Sequence, residues 1–181
     1  MKATGIVRRI DELGRVVIPK EIRRTLRIKE GDPLEIFTDR DELMLKKYSP
    51  IATIEKFSEA AAKSLNELSG RLSVVCDTDG VLYAFGEGKR DFSGRTLSEE
   101  MDKILKSRKS YVSSQAEGGD MLPMTSAREE GITAQVIVPV VSGGDCLGAV
   151  AVLDKEEGAR IDQNVVNLAR LTAEILANQF E

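Results

Sequence analysis

The stretch Gly14-Arg15-Val16-Val17-Ile18-Pro19 constrains this chain more than any other. Gly14 suits the positive φ that ends a tight turn. Val16, Val17 and Ile18 are β-branched and favour a strand. Pro19 cannot continue a sheet ladder, but it suits the first position of a helix. A strand is therefore handed straight to a short helix over residues 20–26. On that helix Lys20, Arg23, Arg24 and Arg27 fall within an arc of roughly 100°, and Ile22 and Leu26 lie opposite. A short helix with one basic and one apolar face, fed by a strand, is a candidate for holding nucleic-acid phosphates.

The neighbouring residues extend the pattern. Residues 4–10 read as a strand, Asp11-Glu12-Leu13-Gly14 as a turn and residues 15–18 as the return strand. After the helix, Gly31-Asp32 ends a loop, residues 34–38 and 43–48 read as two further strands, and Asp39-Arg40-Asp41 joins them. The plan is β-β-α-β-β. A helix-turn-helix is disfavoured, because no second helix follows Gly31. A unit this small buries only about 60% of its unfolded surface. Yet Ile6, Val7, Ile10, Val16, Val17, Ile18, Leu34, Ile36, Leu43 and Leu45 supply more apolar surface than one four-stranded sheet hides. The expectation is an interleaved dimer, against the alternative of a monomer stable alone.

Charge divides the chain in the same place. Residues 1–50 carry 12 basic and 9 acidic side chains, and residues 51–181 carry 14 and 21. Within residues 1–29 the count is 9 basic to 3 acidic. This split suggests a nucleic-acid-facing head on an acidic body, although a charge cluster can also be only a solvated face. There is no histidine, which removes Ser-His-Asp and Cys-His catalysis and His-ligated metals. No cofactor is expected. No apolar run reaches membrane-spanning length and no signal-peptide pattern follows Lys2, so a cytoplasmic protein without a membrane partner is expected. Cys76 and Cys146 suit a reducing compartment and read as inert apolar residues rather than redox sensors.

The motifs Thr4-Gly5-Ile6-Val7-Arg8-Arg9, Asp11 to Pro19 and Ile22-Arg23-Arg24-Thr25-Leu26 resemble the DNA-binding domain of the AbrB family of bacterial transition-state regulators. The resemblance implies a swapped-hairpin dimer in which two chains interleave into one β-barrel over residues 1–50. It also implies that Arg8, Arg15, Arg23 and Arg24 contact double-stranded DNA. Charge and helical phase add Lys2, Arg9, Lys20 and Arg27 as further candidates. Each arginine offers a planar fork that fits phosphate or guanine. Arg8 and Arg9 lie on opposite faces of one strand, and alternation alone does not choose between them. The structural alternative makes Arg8, Arg23 and Arg24 ion-pair partners of Asp11, Glu12 and Glu21.

Residues 54–181 read as a second domain. A helix is expected over 54–68, with Ile54, Phe57, Ala61, Leu65 and Leu68 at helical spacing and Gly70 as its stop. Strands over 72–76 and 81–85 flank an Asp-Gly turn at Asp77-Thr78-Asp79-Gly80. Thr96 with Glu99 predicts a capping box opening a helix to about Ser107. A weak strand over 110–113 precedes a long polar loop over 115–131. Strands over 133–141 and 146–153 and a last helix over 161–180 complete an α+β plan with an antiparallel sheet. Element order resembles a GAF domain, a sensory fold, without its cyclic-nucleotide signature. An effector, if any, is not identified by the residues. Gly86-Glu87-Gly88 and Gly143-Gly144 lack phosphate-loop spacing and read as turns.

The leading expectation is a sequence-specific DNA-binding regulator of transcription, activator or repressor or both. With its second domain the whole chain resembles regulators of endospore-forming bacteria, which implies sporulation genes. The C-terminal domain then senses a signal or fixes assembly. The seams Ile54, Phe57, Ala61, Leu65, Leu68 and Ile161, Leu168, Thr172, Ile175 predict a four-helix contact between chains and a homotetramer, unless each helix merely packs on its own sheet. Related swapped-hairpin domains also serve as antitoxins, which makes a protein-binding module the runner-up. An enzyme ranks below both.

Overall fold

Apolar side chains in the first part of the chain find no interior within one molecule. A computed structural model of the protein describes residues 4–127, 129 and 131–180, and the chain divides into two units, Met1–Tyr48 and Ser49–Glu181. No described residue of the first unit is buried. Val7, Ile10, Leu13, Val17 and Leu43 are each at least 65% exposed, which is untenable as a final state for so much apolar surface.

The head's elements follow from local rules. Helix α1 spans Lys20–Thr25, one residue short of expectation, with Pro19 at its N-cap. Strands β1 (Leu34–Asp39) and β2 (Glu42–Lys47) form an antiparallel hairpin in register Leu34↔Lys47 to Asp39↔Glu42. The strands expected over residues 4–10 and 15–18 make no ladder within one chain. Their turn is nevertheless closed, with Gly14 N–H donating to the Asp11 carbonyl (3.0 Å) and Asp11 N–H to the Arg15 carbonyl (3.1 Å). Extended arms become strands only when a partner edge satisfies their backbone groups.

The second unit supplies its own core. Short helix α2 (Pro50–Thr53) is capped by Ser49 and inserts the fully buried Ile51. Helix α3 (Glu55–Ser69) ends at Gly70, whose φ of 67° is the left-handed stop. Then follow β3 (Leu72–Cys76), β4 (Val81–Phe85), α4 (Glu99–Ser107), β5 (Tyr111–Ser114), β6 (Ala134–Ser142), β7 (Asp145–Asp154) and α5 (Gln163–Ala177). The five strands are antiparallel in the order β4-β3-β7-β6-β5. Alternation along β7 sends Ala149, Ala151 and Leu153 to one face and Val150 and Val152 to the other. The first face packs on Phe92, Met101, Ile104 and Met124; the second packs on Leu65, Val165, Ala169 and Leu176 from α3 and α5.

Two details differ from expectation. The N-cap of α4 is Ser98, not Thr96: its Oγ accepts from Met101 N–H at 3.0 Å and donates to the Pro123 carbonyl. Thr96 instead bridges to Gly80. The long polar loop expected after β5 is held in place by buried contacts. Its Met124 is fully buried, Glu129 accepts from the N–H groups of Met124 and Thr125, and the Gln135 amide exchanges two hydrogen bonds with the Leu122 backbone. Burial pushes the Cys76 thiol up to about 12, in keeping with an inert core residue. Among the described residues no helix is long and apolar enough to cross a membrane.

Strand β7 runs against β3 at a point where only glycine fits. A Cβ on Gly148 would collide with the Cys76 carbonyl oxygen and come within 2.8 Å of Asp77 Cα and Ile51 Cδ1. Gly148→Ala should therefore destabilise the body by about 1–3 kcal/mol. Urea unfolding followed by circular dichroism checks this, and an unchanged midpoint would contradict the packing described.

Candidate nucleic-acid interface

The basic residues of the head are held by three different local devices. The first is the hairpin turn. Asp11 Oδ1 accepts from the backbone N–H groups of Leu13 (3.0 Å) and Arg15 (2.8 Å), and Asp11 Oδ2 accepts from Arg15 Nε at 2.7 Å. One carboxylate thus ties both the turn and the guanidinium. The Arg15 backbone N–H, then its guanidinium, hold the Asp11 carboxyl below the usual carboxylate range. The Arg15 side chain remains 70% exposed despite the pair.

The second device is α1. Lys20, Arg23 and Arg24 lie on it and are exposed, and positions three and four apart share one side of a helix. Arg23 and Arg24 occupy the last turn, where a cation complements the helix dipole. Arg27 is a correction to the phase argument, because it lies beyond the helix. Ile28 N–H donates to the Arg23 carbonyl (2.7 Å) and Arg27 N–H to the Arg24 carbonyl (3.3 Å), which is a Schellman closure. Arg27 fills its left-handed position at φ 53°, where glycine is usual. Its carbonyl accepts from Lys47 Nζ at 3.3 Å.

The third device is the extended arm. Arg8 and Arg9 are both exposed on it, so exposure in one chain does not separate them. Lys2 lies outside the described residues. Among the described residues Arg8, Arg9, Arg23 and Arg24 form no ion pair, and the expected alternative partner Asp11 is taken by Arg15. Lys47 is engaged by Asp32 at 2.9 Å. Burial opposes ionisation of Asp32, but the Lys29 N–H and the Lys47 ammonium outweigh it and lower its pKa. Sequence reasoning placed Asp11 only in a turn and as an alternative ion-pair partner. An Asp two residues before Leu13 and four before Arg15 was the available signal, since Asx turns bond forward to such N–H groups.

The body offers a different surface. Helices α3 and α5 pack side by side and leave a groove lined by Phe57, Leu65, Leu68, Leu168, Leu171 and Ile175. Phe57, Leu68, Leu171 and Ile175 are exposed there. Both expected seams thus border one groove, although Ile54 and Ile161 do not line it and pack, partly buried, against the core.

Known proteins resemble both units. A family model described as "Stage V sporulation protein T C-terminal, transcription factor" matches residues 53–181. Another, "Antidote-toxin recognition MazE, bacterial antitoxin", matches residues 7–53. Stage V sporulation protein T of Bacillus subtilis (strain 168) is 43% identical over 183 residues, covering 100% of this chain and 99% of that protein. The transition state regulatory protein AbrB of the same organism is 53% identical over 72 residues, covering 40% of this chain and 75% of that protein. The crystal structure of the GAF domain from Acinetobacter phosphoenolpyruvate-protein phosphotransferase superposes with a TM-score of 0.53 at 12% identity, covering 74% of this chain and 82% of that one. The body therefore has a GAF-like fold. Because the first likeness runs the full length of both proteins and joins an AbrB-like head to this body, the chain belongs to the stage V sporulation protein T family of transcription factors.

Proposed function

We propose that this protein regulates transcription of sporulation genes by gripping duplex DNA with a head built from two chains. The observation that carries the reading is the full-length identity to stage V sporulation protein T. Arg8, Arg15, Arg23 and Arg24 are the principal contacts, with Arg9 and Lys20 as added phosphate anchors; Lys2 and Arg27 are subsidiary. Phosphate contacts fix the register of the head, and base contacts by an arginine fork supply discrimination. The role is binding, not catalysis, and the site of action is cytoplasmic DNA. The match to an antitoxin model covers only the head and its junction. A folded GAF-like body follows it here, which favours a regulator over a toxin-wrapping module.

Two apolar surfaces support the assembly. Among its described residues the head has none buried in one chain, which favours interleaving two hairpins into one barrel. The α3–α5 groove favours a four-helix contact between bodies, at the small crossing angle usual for such bundles. If head and body pair different chains, the product is a homotetramer with two DNA-binding heads. Two heads on one DNA gain avidity through effective concentration. The body also remains the place for a small-molecule effector.

Footprinting on genomic fragments tests the function directly, with protection at discrete sites expected and uniform coverage counting against it. The electrostatic part is read from salt. Affinity should fall with a log–log slope of about 0.9 per phosphate neutralised, so several contacts per chain give a steep line. A flat line would remove the phosphate-anchoring role.

The assembly is tested by light scattering on the full chain, residues 1–54 and residues 54–181. The expected masses are tetramer, dimer and dimer, with the isolated head binding DNA more weakly than the whole. A monomeric body or a dimeric full chain would refute the tetramer.

A further inference from the structure

A carboxylate beside DNA repels phosphate, so an acidic residue in the tip of a basic hairpin calls for a compensating role. Asp11 is such a residue, and its use of the Arg15 guanidinium is specific. The guanidinium carries five N–H donors in a rigid fork. Asp11 Oδ2 takes the one on Nε, at 2.7 Å. The outer edge, formed by the two terminal NH2 groups, is left to make two parallel bonds to a guanine or a phosphate. Because Asp11 Oδ1 also accepts from the Leu13 and Arg15 N–H groups, the same residue fixes the turn and the direction in which the side chain leaves it. A side chain already held in this way loses less rotamer freedom on binding.

We propose that Asp11 is a positioning residue for DNA recognition: it grips Arg15 by the Nε edge so that the outer edge of the guanidinium meets DNA end-on. This rests on the reading of Arg15 as a DNA contact. Asp11 itself touches no DNA and acts through Arg15. Its contribution is to specificity, because a directed bidentate contact distinguishes one base edge from another, whereas a free cation neutralises phosphate wherever it lands.

The test uses the full chain and the variants Asp11→Asn, Arg15→Ala and the double variant. Asparagine keeps the Oδ1 acceptor that the turn needs, but its NH2 cannot accept from Arg15 Nε. The probes are a duplex enriched by the wild-type protein from a randomised pool and a duplex from the unselected pool. Circular dichroism and light scattering establish that fold and assembly are intact. Asp11→Asn should lose about tenfold on the enriched duplex. Its affinity for the unselected duplex should hold or rise, since a negative charge has gone. Arg15→Ala should lose at least as much, and the double variant should be no weaker than Arg15→Ala alone. Wild-type binding by Asp11→Asn, equal losses on both duplexes, or losses that add in the double variant would each overturn the positioning role. So would tighter, equally selective binding, which would make Asp11 a mere competitor for Arg15. If Arg15→Ala binds both duplexes as wild type, the contact reading itself fails, an outcome distinct from a weak Arg15→Ala beside a normal Asp11→Asn.

Discussion

The head cannot bury its apolar residues by itself, and much of the molecule's design depends on that. A four-stranded plan with a six-residue helix encloses too little volume for its Ile, Val and Leu side chains. In one chain most of those residues stay exposed, none of the described ones is buried, and the first hairpin makes no ladder. Pairing with a second chain relieves both deficits, since the free arms gain backbone partners as their side chains leave water. In the proposed dimer such pairing also doubles every arginine by symmetry. A binding surface made this way would read two related half-sites, so stability and recognition would depend on one association.

The body meets the same problem with its own resources. Its sheet is covered on both faces, by α3 and α5 on one and by α4 with the anchored loop on the other. Buried polar groups fix that loop: Ser98 binds Pro123, Gln135 binds Leu122, and Glu129 binds Met124 and Thr125. Each of these would be costly to leave unpaired, so the loop has a defined position although its sequence is polar. Met124 and Phe92 then fill the space beneath.

Much of this was legible because hydrophobic periodicity and turn chemistry agree in the chain. The two body hairpins and the stop at Gly70 follow from residue types alone. The misses have local causes. Thr96 and Ser98 are both good caps, and the choice fell to Ser98, which also binds Pro123 from a distant loop. Arg27 carries on the helical charge pattern, yet it fills a position where glycine is usual, so the pattern outlasts the helix. The first hairpin was legible as sequence but forms no ladder in a single chain, and its completion by a second chain is the proposed reading. The arginines proposed as DNA contacts were named from a family motif and charge; the carboxylate bonded to one of them was not, because an acidic residue within a basic cluster reads first as a turn former.

The three devices that hold the basic residues differ in stiffness, and this orders their roles. Arg15 is tied by a carboxylate at the tip of a closed turn. Arg23 and Arg24 are carried by a helix end closed by backbone bonds but have free side chains. Arg8 and Arg9 are on an arm that forms no ladder within one chain. A tightly held fork discriminates between base edges, whereas loosely held cations follow the phosphate backbone of any sequence. On the proposed reading, recognition by the head is graded: one preorganised contact per chain carries direction, and the surrounding cations supply salt-sensitive affinity. In the proposed dimer, the pairing of the heads sets the distance between the two directed contacts.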